Sequence, residues 1–87
     1  MDYNKTSELL KALGNPVRLQ ILNGLISSHG CNVNTIVEQL RIPQSTASQH
    51  LGILKSRGIL THKKEGVKTC YKVSDKRIEK LLQMFSK

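Results

Sequence analysis

Eighty-seven residues with 14 Lys and Arg against 6 Asp and Glu, a formal net charge of +8, suffice for one small domain, 1–87. With aromatics at 3% and no Trp, its core must be aliphatic and short of buried surface, a shortage that self-association would relieve. No run approaches the roughly 18 apolar residues that span a bilayer and no secretory pattern opens the chain, so a cytoplasmic protein with no membrane partner is expected.

Residues 5–13 read as a short helix with Leu9, Leu10 and Leu13 on one side. It stops at Asn15-Pro16, because proline cannot continue the hydrogen-bond ladder. Pro16 suits the first turn of a second helix to about Ser27, apolar almost all round and hence buried on most sides. Cys31-Asn32-Val33 is expected as an extended link. A brief third helix follows from about Thr35 to Leu40, capped by Asn34 or by the Thr35/Glu38 pair. After the tight turn Arg41-Ile42-Pro43, a longer helix runs from Gln44 to about Arg57, closed by Gly58. Two helices joined by three residues, the second polar at its start, make the helix-turn-helix pattern.

Beyond Gly58 the periodicity becomes that of strands. Residues 59–63 and 68–73 read as a hairpin around Glu65-Gly66 with a basic tip. In a last helix, about Asp75 to Phe85, Ile78, Leu81, Leu82 and Phe85 fall at i, i+3, i+4 and i+7. The expected class is mainly α with a small β-hairpin.

Function is written mostly on the helix from Gln44. Ala47, Leu51 and Leu54 share its inner face, and Ser45, Ser48, Gln49, Gly52 and Ser56 its outer one. An outer face of hydroxyls and an amide, without one acid, suits an edge that approaches phosphates and sets neutral donors and acceptors against bases. Gln49 can pair with adenine, and Gly52 sacrifices helix propensity in a way that invites close backbone approach. The charge agrees: from Arg41 to Lys72 there are seven basic residues against the single acid Glu65. The expected DNA-contacting set is Gln44, Ser45, Thr46, Ser48 and Gln49, with Lys55 and Arg57 and the wing residues Lys63, Lys64 and Lys68. His50, flanking the inner face, reads as a partly buried histidine without a metal role.

The run 40–51, Leu-Arg-Ile-Pro-Gln-Ser-Thr-Ala-Ser-Gln-His-Leu, followed by Leu54-Lys55 and Gly58-Ile59-Leu60, resembles the ArsR/SmtB family of winged helix-turn-helix repressors. The segment 10–22 resembles that family's opening signature, and Tyr71-Lys72-Val73-Ser74-Asp75 the end of its wing. The resemblance implies the order α1-α2-(β)-α3-α4-β-β-α5. It also implies a homodimer through the first and last helices and an inverted-repeat operator in double-stranded DNA. In most such proteins an inducer, usually a metal ion, releases DNA. The expected dimer residues are Leu9, Leu10, Ile78, Leu81, Leu82 and Phe85.

The family's metal ligands are missing residue by residue. Asn32 and Asn34 flank Val33 where cysteines would stand, and the last helix offers Asp75 but no histidine. No metal and no other cofactor is expected. Cys31 and Cys70, the chain's 2 cysteines, are expected as free thiols in a reducing compartment, with a dithiol switch as the alternative role. No Ser/His/Asp or Cys/His set, Gly-rich phosphate loop or carboxylate pair points to an enzyme. The competing reading is a protein-docking winged helix with its basic face on an acidic partner. Such a surface would show exposed aromatics or leucines, and the outer face of the helix from Gln44 has neither.

Overall fold

The computed structural model describes residues 1–28 and 33–86. Within them the order is α1 (Tyr3–Leu13), α2 (Pro16–Ser27), α3 (Val33–Leu40), α4 (Gln44–Ser56), β1 (Leu60–Glu65), β2 (Lys68–Val73) and α5 (Lys76–Phe85).

Local chemistry sets most of these ends. The Asp2 carboxylate accepts from the Lys5 amide at 3.1 Å, so α1 begins two residues earlier than its apolar spacing suggests. Asn15 Oδ1 accepts from the amides of Val17 and Arg18 at 2.9 and 3.1 Å, and Pro16 takes the first helical position, where no amide is needed. Asp75 caps α5 through the Arg77 amide at 3.0 Å. The expected start of α3 is corrected. Its first residue is Val33, buried at 6% exposure, so Asn34 and Thr35 lie inside the helix rather than capping it. The rest of the expected extended link, Cys31 and Asn32, lies outside the described residues.

The core is aliphatic, as so little aromatic content demands. Ile21 and Leu22 of α2, Leu54 of α4 and Ile59 before β1 are fully buried, and no polar side chain among the described residues is buried. Packing of α2 on α3 is close enough that a Cβ on Gly24 would stand 3.0 Å from the Ile36 Cδ1. Strands β1 and β2 pair antiparallel with Leu60 opposite Val73 and Glu65 opposite Lys68, leaving Gly66-Val67 as a two-residue loop. A positive φ of 63° at Gly66 and none at Val67 is the pattern of a type II′ turn, whose twist matches that of the strands. Among the described residues the sheet has these two strands. No helix there is long and apolar enough to cross a membrane.

Candidate nucleic-acid interface

Three elements build the candidate face. In the turn from α3 to α4, Arg41 adopts a left-handed φ of 56° and Pro43 precedes the first residue of α4. No side chain caps α4 and its first turn holds no acid. Its leading amides therefore carry the positive end of the helix dipole outward, a setting that favours an anion. Inward, Ala47 and Leu54 are fully buried and Leu51 nearly so, which fixes the rotation of α4 about its axis. Gln44, Ser45, Ser48, Gln49, Gly52 and Lys55 consequently all reach solvent, while Thr46 is half-buried.

The hairpin is the second wall. Strand alternation places His62 with Tyr71 and Lys64 with Thr69 on one face, and Lys63 with Cys70 on the other. His62 and Tyr71 pack with ring centroids 6.0 Å apart and stiffen the base of the hairpin. A groove of about 400 Å³ lies between helix and wing, lined by Gln44, Ser48, Gly52 and Lys55 from α4 and by Lys68, Thr69 and Tyr71 from β2. Val67, fully exposed at the tip of the wing, lines the rim of the groove. Lys64 and Lys68 extend from the hairpin into solvent, as expected. Lys63 does so on the far face, 3.9 Å from Glu65, an exposed pair too well solvated to hold it firmly.

Arg57 has an intramolecular partner. It C-caps α4, but its guanidinium turns to α1, where it donates to Glu8 at 3.0 Å. Glu8 also faces Lys11 at 3.6 Å. Both side chains of the Arg57–Glu8 pair are exposed, at 43% and 46%, so water screens it and the guanidinium stays accessible.

The apolar dimer set divides in two. Ile78 at 3% and Leu82 at 9% exposure belong to the protomer's own core and have almost no surface left to offer a second subunit. Leu10, Met84 and Phe85 are exposed at 53%, 73% and 80%, with Leu9 and Leu81 half-buried beside them. The exposed apolar surface on α1 and α5 is therefore Leu10 and Phe85 of the expected set, plus Tyr3 and Met84, while Leu9 and Leu81 pack partly against the protomer's own core.

Cys70, half-buried on β2, is disulfide-bonded rather than a free thiol. Cys31 lies outside the described residues. Among the described residues no three His, Cys, Asp or Glu side chains gather to hold a metal ion.

Sequence reasoning missed Arg18. Its Nε donates to the Ala12 carbonyl at 2.6 Å and an Nη lies 3.3 Å from His50 Nδ1, which ties α4 to the end of α1. Nothing in spacing or composition signals a contact across 32 residues.

Comparison with known proteins bears on this face. Residues 13–63 match a family described as a helix-turn-helix domain. The chain is 39% identical over 82 residues to an uncharacterized HTH-type transcriptional regulator of Methanocaldococcus jannaschii, covering 94% of this chain and 92% of that one. It is 34% identical over 87 residues to the transcriptional repressor PagR of Bacillus anthracis, covering 99% and 86%. The PagR crystal structure superposes with a TM-score of 0.85 at 31% identity, covering 99% of this chain and 98% of that one. A homodimeric winged helix-turn-helix DNA-binding domain, Mb0332 of Mycobacterium bovis, described as a possible ArsR-family regulator, gives a TM-score of 0.81 at 29% identity, covering 95% and 76%.

Proposed function

Because this chain belongs to the ArsR/SmtB family of winged helix-turn-helix transcriptional regulators, we propose that it is a homodimeric repressor that reads an inverted-repeat operator in double-stranded DNA. The observation that carries the reading is the acid-free outer face of α4 beside a basic wing, with the groove of about 400 Å³ between them. A helix in a major groove and a wing over the neighbouring minor groove must straddle the phosphate ridge that separates the two. Here that ridge meets Gly52, Lys55 and Lys68. Gln49 and Ser48 point onward to base edges, and Gln44, Ser45 and Thr46 lie at the amide-rich start of the helix. Lys63 and Lys64 add charge along the wing. Neutral side chains then select sequence, and the lysines supply affinity that is indifferent to sequence.

Dimerisation is proposed through the exposed apolar surface of α1 and α5, which a protein with so small a core gains by covering. That Mb0332 is described as homodimeric supports a dimer as such.

The experiment is the salt dependence of binding to a duplex that the chain itself enriches from a random library. About six phosphate contacts per dimer give a slope near −5 in log affinity against log salt. A slope near zero contradicts the assignment.

The disulfide at Cys70 favours one regulatory reading of the same site, in which thiol oxidation involving Cys70 and Cys31 changes how the wing is held. Operator affinity should then differ between reduced and oxidised protein, and Cys70→Ser should abolish the difference. Equal affinities in both states reject it.

A further inference from the structure

Arg18 sits half-buried near the start of α2, and no acid among the described residues pairs with it. Its guanidinium instead collects acceptors from two other helices. Nε donates to the Ala12 carbonyl at 2.6 Å, one Nη reaches the Lys11 carbonyl at 3.5 Å, and the other Nη lies 3.3 Å from His50 Nδ1. The first two contacts have a plain structural purpose. Gly14 donates to the carbonyls of Leu10 and Lys11 and Asn15 to that of Leu13, so among these last carbonyls of α1 Ala12 depends on Arg18. A cation there also suits the negative end of the helix dipole.

The third contact has no such purpose, because His50 belongs to α4 and stands between Gln49 and Leu51. We propose that Arg18 and His50 form a positioning couple that sets how α4 rests on the end of α1, and so where Ser48 and Gln49 are aimed. The proposal rests on the DNA-binding reading of α4.

The chemistry of the couple is one-sided. An arginine keeps its protons, so the contact is attractive only while His50 is neutral, with a lone pair on Nδ1 and its hydrogen on Nε2. A proton on Nδ1 removes the acceptor and sets two cations against each other. Arg18 contacts His50, and the other charged side chains on the four helices are Lys5, Glu8 and Lys11 of α1, Glu38 of α3 and Lys55 of α4, with Arg57 at its C-cap. The acid of α1, Glu8, is paired with Lys11 and Arg57 instead. Protonation therefore loosens α4, and sequence-specific binding falls with acid.

The chain has 3 histidines, and a proton on His62 of the wing would act in the opposite sense by adding positive charge beside DNA. The test accordingly uses a background carrying His29→Gln and His62→Gln. Affinity for an in vitro selected duplex and for a random duplex is measured by anisotropy from about pH 8 to pH 5.5, the range in which imidazoles change charge. The background chain is expected to lose about tenfold in affinity for the selected duplex on acidification, the scale of a solvent-screened like-charge contact. Its affinity for random duplex should change far less. Adding His50→Gln, whose amide oxygen can still accept from Arg18, should keep the neutral-pH affinity and flatten the profile. His50→Leu fills the space without an acceptor and should bind the selected duplex more weakly at every pH, with unchanged thermal stability. Parallel pH profiles for His50 and His50→Gln, or full affinity in His50→Leu, overturn the couple while DNA recognition stands. A library in which no sequence is enriched overturns the DNA reading, and the proposal with it.

Discussion

Gly52→Ala separates what the fold needs from what the bound duplex needs. The residue sits inside α4 on the face that lines the helix-wing groove, and a Cβ built there meets nothing within 4 Å. For the free protein alanine is therefore the better residue. It gains about 0.5–1 kcal/mol of helix propensity and creates no clash. For a domain of this size that is a rise in melting temperature of about 3–6 °C, measured at equal protein concentration. If a phosphate ridge packs on the bare backbone at Gly52, the same methyl group overfills the contact at a cost of about 1–3 kcal/mol in each half-site. Calorimetry and anisotropy on one preparation should then disagree in sign: a more stable protein that binds its duplex at least tenfold more weakly. Gly24→Ala is the internal control. There the new Cβ lies 3.0 Å from Ile36 Cδ1 and 3.2 Å from its Cγ1 and Cγ2, so Ile36 must shift and the propensity gain is offset or reversed. A Gly52→Ala protein that is more stable and binds as tightly as the original refutes close approach at Gly52.

Gln49→Ala should cost about 1–3 kcal/mol at one base position per half-site and relax preference there, whereas Lys64→Ala should weaken all duplexes alike; competition against single-base variants tells them apart. Because Phe85 is 80% exposed and Leu82 buried, Phe85→Asp should yield folded monomers in sedimentation at micromolar concentration, while Leu82→Ala should cost the protomer about 2–5 kcal/mol in urea unfolding. Dimers that persist in Phe85→Asp remove α5 from the interface. The Arg77 side chain, donating to Asp75 Oδ2 at 2.7 Å, holds the Asp75 carboxyl below the ordinary carboxylate range. Its stabilisation is present above that range and lost as pH falls through the lowered value, so Asp75→Asn, which keeps the cap, should be less stable than wild type at neutral pH and converge with it in acid. Arg77 is 79% exposed, so the difference is small.

Legibility in the sequence followed the range of the interaction. Asn15-Pro16, Gly58 and the polar opening of α4 are local signals, and the helices and wing they delimit form where expected. So does the rotation of α4, because Ala47, Leu51 and Leu54 leave a single way to bury it. The start of α3 departs from the expectation because burial of Val33 draws the first turn ahead of the cap-forming Asn34 and Thr35. The stripe on α5 was seen correctly, but spacing shows which residues share a face and not what covers it. Ile78 and Leu82 turn to their own core, and Leu81 and Phe85 to its edge and beyond. The contacts of Arg57 with Glu8 and of His50 with Arg18 lie outside what the sequence shows, because the partners are 49 and 32 residues apart, a distance over which composition and periodicity say nothing. The disulfide at Cys70 departs from the free-thiol expectation, because pairing depends on geometry that the sequence does not display.

The most direct test of the account is selection from a random duplex library by the purified protein, with the enriched sequences read out. A dimer presenting two α4 helices across a two-fold axis should enrich an inverted repeat whose half-site centres lie about 10–10.5 base pairs apart, or a multiple of that. No enrichment, or a single asymmetric motif bound by monomers, would contradict it.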